Sequence, residues 1–247
     1  ELFTGMAAGG TAIVNIDDTY IKELGGDLEK KLTYSLHEDA DMHGKIVRVE
    51  DDSRAVFEFN GCKPFTLNVL GKIMAENALA AAAIGLKFAV PLPDIRDALA
   101  SYKGIKGRMY RMEIAGRIVI DDSYNANPAS VELALNALST FSGTAKKIVV
   151  LGDMLELGSH SEEQHREIGR KLSVAGFDAV YAFGSESKAI VDEADKEGSR
   201  EAVHFDSKEE MTARLMDFSN PGDLILVKGS RGMRMEDVIT FMTKEAN

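Results

Sequence analysis

The 247-residue chain has no tryptophan, one cysteine and five prolines. Cys62, standing alone, excludes an intramolecular disulfide, and without paired Cys-x-x-Cys units there is no thiolate zinc site. A reducing compartment is the expectation. Long apolar runs are missing as well. The longest, around Ala78 to Ile84, falls far short of the roughly 20 residues a bilayer span needs, and no signal peptide opens the chain. This points to the cytoplasm. Basic residues are outnumbered, 29 Lys and Arg against 40 Asp and Glu, and the net charge of -11 repels phosphate backbones and anionic lipid. Nucleic acid and membrane insertion are therefore not expected. Three motifs are also absent: the G-x-x-x-x-G-K-[ST] phosphate loop, the G-x-S-x-G nucleophile elbow and the G-x-G-x-x-G dinucleotide turn. The chain opens on Glu1 instead of methionine, so a fragment or a processed product is expected.

What is present is the composition of a globular protein, 45% hydrophobic and 28% charged. At roughly 100 to 200 residues per domain, the length suits two ordinary domains. Thr11 to Asn15 (TAIVN) reads as a strand leading into a helical crossover. Between Lys31 and Leu70, the alternation in LTYSL, KIVRVE, AVFEFN and FTLNVL predicts three or four short strands, paired antiparallel. Alanine-rich Ala75 to Leu86 predicts a helix closed by Gly85, and a second helix runs from Pro91 to Tyr102. The glycines of KGIKGR, Gly104 and Gly107, mark the boundary between domains 1–103 and 104–247. Beyond it, Ala115-Gly116 reads as a hairpin turn. The strands RIVID, KKIVVLGD, DAVYAFG, AVHFD and DLILVKGS then alternate with helices beginning near Pro128, Ser161, Ser185, Ser207 and Met235. Such alternation predicts a mostly parallel sheet with helices on both faces. Asn127 is a natural cap for the helix opened by Pro128, and Ser161 to Gln164 has capping-box spacing.

In an open parallel sheet, ligands gather beyond the carboxyl ends of the strands. Here those ends carry DDSYNANP, LGDMLELG, FGSES, FDS and KGSRG. Asp121 and Asp122 suit ribose hydroxyls, a metal, or an amine needing neutralisation. Lys228 and Arg231, flanking Gly229-Ser230, suit a carboxylate or phosphate. Arg108 could reach a bound anion. No metal site is expected, because His160 and His165 are five residues apart and His37 and His43 lie in a solvated loop. His165 reads as a half-buried packing residue.

At DDSYNANPAS, VLGDMLELG and VKGSRGMRME the chain resembles the Mur ligases of bacterial peptidoglycan synthesis. The likeness is to the branch that joins D-Ala-D-Ala to UDP-N-acetylmuramoyl-tripeptide. GGTAIVNIDD and LGKIMAENALAAAA resemble the later part of the family's central ATPase domain, and residues from Gly104 onward its whole C-terminal domain. The resemblance implies an α/β fold: a partial central domain with a mixed sheet and helices, then a Rossmann-like, mostly parallel domain. It also implies ATP-dependent amide-bond formation through an acyl phosphate, with ATP and Mg2+ as cofactors. By position, Asn77, Arg108 and Asp122 match the family's nucleotide-contacting residues. Tyr124, Asn125 and Asn127 would shape the cleft where nucleotide and dipeptide meet, and Ser230 and Arg231 would meet the dipeptide carboxylate. Ile73 stands where the family usually has histidine. The family's UDP-binding domain, phosphate loop, magnesium-binding Glu and His, and carbamylated lysine would all lie upstream of Glu1, so the chain alone is expected to be inactive. The alternative is a non-catalytic D-Ala-D-Ala or nucleotide-binding module derived from such a ligase.

Overall fold

The computed structural model of the chain describes residues 3–196 and 201–245. The chain divides into two compact units, Glu1–Lys103 and Gly104–Asn247.

The first unit is a five-stranded sheet in sequence order. Strand β1 (Ala12–Asn15) is followed by helix α1 (Thr19–Gly25), capped by the Asp18 carboxylate, and then by β2 (Lys31–Ser35), which pairs parallel to β1. Strands β3 (Met42–Val49), β4 (Arg54–Phe59) and β5 (Phe65–Leu70) form an antiparallel meander. The all-antiparallel expectation for Lys31 to Leu70 fails at one pair, because β2 runs parallel to β3. Parallel neighbours normally need a long crossover. Here they overlap only at Tyr34↔Met42 and Ser35↔His43, so a six-residue loop closes the turn. Asp41 secures that loop by accepting from both the backbone N–H and the hydroxyl of Thr33, each at 2.8 Å.

Helix α2 (Ile73–Lys87) covers this sheet with Ala75, Ala78, Leu79, Ala82 and Ala83, packed on Phe57, Phe59 and Leu67. Helix α3 (Leu92–Ser101) follows. Gly85 does not close α2, which continues to Lys87; the left-handed residue beyond its end is Ala89, at φ 57°. Gly85 serves packing instead. A Cβ there would stand 2.8 Å from Ile95 Cδ1 of α3, so the glycine sets the close approach of the two helices.

The second unit begins with a hairpin of β6 (Tyr110–Ile114) and β7 (Arg117–Asp122). Ala115 and Gly116 turn it with φ of 49° and 76°, the positive pair that a two-residue turn of matching twist requires. Then follow α4 (Pro128–Ser139), β8 (Lys147–Gly152), α5 (Ser161–Val174), β9 (Ala179–Phe183), α6 (Lys188–Lys196), β10 (Ala202–Phe205), α7 (Lys208–Phe218), β11 (Leu224–Lys228) and α8 (Glu236–Glu245). The sheet order is β10-β9-β8-β11-β7-β6, parallel except for β6.

Right-handed crossovers fix where the helices go. The path β7 to β8 to β9 to β10 moves one way across the sheet and the return to β11 moves the other. Accordingly, α4 packs on α5 and α5 on α6, whereas α7 packs on α8. Met211, Leu215, Met235, Val238 and Met242 cover one face through Val119, Ile148, Val150, Tyr181 and Ile225. Val131, Ala134, Leu135 and Leu138 form the buried stripe of α4. The capping box expected at Ser161 does not form. A 3-10 turn at Gly158–His160 runs straight into α5, so Ser161 is already helical at φ -56° and cannot act as the cap. Among the described residues, no helix is long and apolar enough to cross a membrane.

Candidate functional site

Because β11 was inserted between β7 and β8, the carboxyl ends of these three strands lie side by side. The register aligns Lys228 with Asp122 on one side and with Leu151 on the other. Residues in register on parallel neighbours project to the same face. Lys228 Nζ therefore reaches Asp122 Oδ2 at 2.6 Å, with side-chain exposures of 3% and 13%. Its ammonium also donates to the Asn125 carbonyl at 2.9 Å. Asp122 Oδ1 accepts the Met109 N–H at 3.0 Å, while Asp121 accepts from Gly107 N and from the Ser123 hydroxyl. The amine that the paired carboxylates suit is thus Lys228. Reading Lys228 as a receptor for an external anion is corrected: its charge is spent inside the protein, because strand register delivers it to a buried carboxylate. Burial pushes the Asp122 carboxyl above its ordinary range, and the Lys228 ammonium and Met109 N–H oppose that rise.

Ser230 is the second junction. Its hydroxyl donates to the Ala126 carbonyl at 3.0 Å and accepts the Leu155 N–H at 2.9 Å, while its own N–H reaches Asp153 O at 3.0 Å. One buried side chain joins the loops after β7, β8 and β11. With its only hydroxyl hydrogen committed, Ser230 positions these loops and has no donor left for a carboxylate. Gly229 makes the approach possible, since a Cβ there would stand 2.5 Å from Met235 Cγ and 3.1 Å from Gly152 Cα.

The remaining candidates differ in exposure. Arg108 is exposed, and its guanidinium lies 4.1 Å from the ring centroid of Tyr124, itself 48% exposed. Asn125 is exposed, and its side-chain oxygen faces Arg231 N at 3.4 Å. Asn127 caps α4, accepting Ser130 N at 2.8 Å, with Ser130 Oγ returning the bond to Asn127 N. Arg231 is 67% exposed and bonded to Glu236 at 3.1 Å, leaving most of its donor fork open. Asn77 belongs to the first unit, exposed on α2, with Nδ2 3.7 Å from Met74 Sδ. Beside it, burial and the nearby Asp17 raise the Glu76 carboxyl, against the lowering effect of His37.

Two anchors escaped the sequence reading. His165 is fully buried instead of half-buried: Nδ1 donates to Ser161 O at 2.7 Å and Nε2 accepts the Met154 N–H at 3.0 Å, which fixes the neutral tautomer. Asp153, 4% exposed, accepts Ser187 N at 2.7 Å and so holds the loop after β9. Neither had a local motif; each acts on backbone supplied by a distant loop. Among the described residues, no group of three His, Cys, Asp or Glu side chains stands close enough to hold a metal.

The family model described as "Mur ligase, glutamate ligase domain" matches residues 107–231, and that described as "Mur ligase middle domain" matches residues 1–85. The chain belongs to the Mur ligase family. Over 97% of this chain and 52% of its own length, the UDP-N-acetylmuramoyl-tripeptide--D-alanyl-D-alanine ligase of Bacillus subtilis is 31% identical. Among solved structures, MurF of Acinetobacter baumannii superposes with a TM-score of 0.83 at 27% identity, covering 98% of this chain and 54% of that one. MurF of Thermotoga maritima, solved in complex with ADP, gives 0.80 at 28% identity over 96% and 54%. This Mur ligase chain therefore spans about half the length of the relatives it matches. Its α/β architecture, with mixed sheets and flanking helices, is theirs.

Proposed function

We propose that this chain forms part of an ATP-dependent C–N ligase. The reaction joins D-Ala-D-Ala to UDP-N-acetylmuramoyl-tripeptide through an acyl phosphate, in peptidoglycan precursor synthesis. The observation that carries the reading is the seam at the carboxyl edge of the second unit. There a buried carboxylate, an exposed arginine on an aromatic ring and a second exposed arginine share one hydrogen-bonded frame. The relatives' names support the choice of reaction.

In this reading Asp122 accepts from the ribose hydroxyls of the nucleotide, Arg108 meets its phosphate charge, and Tyr124 offers a flat apolar surface. Asn77, exposed on α2, is proposed separately as a nucleotide contact of the first unit. Arg231 meets the terminal carboxylate of the dipeptide, Asn125 and Asn127 keep the intervening loop in shape, and Ser230 positions all three loops. Among the described residues, no three His, Cys, Asp or Glu side chains stand together to hold a magnesium ion, and none is assigned to it.

The test is formation of the UDP-linked pentapeptide from ATP, the tripeptide precursor and D-Ala-D-Ala, using the protein purified from its own host. Asp122→Ala strands the buried Lys228 ammonium, so its rate is read well below its lowered melting midpoint, where a loss of about 100-fold is expected with the chain still folded. Wild-type turnover in that variant would remove Asp122 from the nucleotide site, and no D-Ala-D-Ala-dependent product would defeat the reading as a whole.

A further inference from the structure

Leu155 is an apolar side chain held where a mobile one would be expected. It is 41% exposed on the loop between β8 and α5, yet the backbone around it is fixed residue by residue. Asp153 O accepts Ser230 N, Met154 N donates to His165 Nε2, and Leu155 N donates to Ser230 Oγ, at 3.0, 3.0 and 2.9 Å. The next residue, Glu156, is held in the left-handed region at φ 66°, a conformation that costs a non-glycine residue energy and persists only where the surroundings impose it. The side chain extends over Gly232: a Cβ on that glycine would stand 2.9 Å from Leu155 Cδ1. Gly232 directly follows Arg231, whose guanidinium is tethered by Glu236 and otherwise open. An aliphatic side chain on a fixed backbone therefore lies against the turn that carries an exposed arginine. The chemistry of that turn suits a ligand carrying a carboxylate and a small aliphatic group.

We infer that Leu155 is the specificity-determining residue of the acceptor site, packing against the C-terminal methyl of the dipeptide while Arg231 meets its carboxylate. This rests on the acceptor reading above and adds to it a limit on size. Because the backbone of Leu155 is pinned, the loop itself does not move aside for a branched side chain, and only rotation about the leucine's own side-chain bonds makes room. Gly232 sets how deeply the leucine sits, so enlarging residue 232 pushes that side chain into the acceptor's space.

The test is site-resolved titration of the chain, with labelled leucine methyls and backbone amides, using D-Ala-D-Ala and D-Ala-D-Val. Expected are shifts of the Leu155 methyls and the Arg231 amide, with D-Ala-D-Ala favoured about tenfold or more, the discrimination a hydrophobic wall gives for added carbons. Leu155→Ala should cut that preference below about threefold, and Gly232→Ala should weaken D-Ala-D-Ala while moving the Leu155 methyl signals. If D-Ala-D-Ala shifts Arg231 but Leu155→Ala keeps the wild-type preference, the inference is overturned and the acceptor reading stands. If neither dipeptide perturbs Arg231 or Leu155, the acceptor reading fails and the inference with it. Leu155 lies on the surface, and the amide spectrum of each variant reports whether the fold is retained.

Discussion

Replacing Lys228 with methionine keeps nearly all the side-chain volume and removes only the charge that answers Asp122. The pair is 3% and 13% exposed, so water cannot take the ammonium's place. Removing one partner of a buried ion pair costs about 3–5 kcal/mol. For a unit of this size each kcal/mol moves the midpoint by about 3–4 °C, so Lys228→Met should lower Tm by about 9–20 °C at pH 7. The loss should also depend on pH in a direction opposite to ordinary acid denaturation. Without Lys228, burial holds the folded-state carboxyl of Asp122 far above its unfolded value near 4. The folded variant then keeps a proton that the unfolded chain releases. Its stability from this group is full below about pH 4 and falls as pH rises through the folded value, by up to about 1.4 kcal/mol per pH unit. Thermal melts from pH 5 to 8 should therefore bring the variant closer to wild type at the acid end. Wild type retains a weaker slope of the same sign, because the ammonium opposes the rise. Adding Asp122→Asn to Lys228→Met should recover at least half of the loss. A pH-independent deficit, or a double variant as unstable as the two single losses added together, would refute the pairing as the source of the effect.

Two further outcomes follow from the same edge. Gly184 sits at φ 118°, and a Cβ there would overlap the Asp153 carboxylate, so Gly184→Ala should cost about 2–5 kcal/mol in a chemical-denaturation curve; an unchanged midpoint would mean the loop moves freely. Leucine in place of His165 fills the space but leaves the Met154 N–H without its acceptor, at about 1–3 kcal/mol, and amide exchange at Met154 and Leu155 should quicken while exchange in β9 does not.

The second unit was legible because its inner strands β7, β8, β9 and β11 are buried on both faces and its helices carry 3.6-residue stripes, so length and period agreed at these elements. RIVID, KKIVVLGD and DLILVKGS became β7, β8 and β11, the last two trimmed to KIVVLG and LILVK. The first unit was less legible because pairing direction is not written in alternation. KLTYS alternates as a half-buried strand would in either direction, and what turns it parallel to β3 is a short overlap secured by Asp41 and Thr33 across a loop. The capping box at Ser161 misled for a related reason. The spacing was right, but the 3-10 turn before it carried the helix one step further back.

The site was legible in its outline and not in its division of labour. Composition at strand ends located Asp122, Ser230 and Arg231, since small and polar residues collect where loops meet. It could not say which cation of KGSR faces outward. Lys228 and Arg231 are three residues apart with the same charge, and only the alignment of β11 with β7, across 106 residues of sequence, spends the first on Asp122. That expenditure shapes what remains. With the lysine neutralised and the serine hydroxyl committed to Ala126, the exposed positive charge of this turn falls to Arg231 and, three residues on, Arg234, which leans on Asp237 at 3.5 Å. In the acceptor reading proposed above, Arg231 is the cation assigned to the terminal carboxylate, since it directly follows the serine that ties the three loops together.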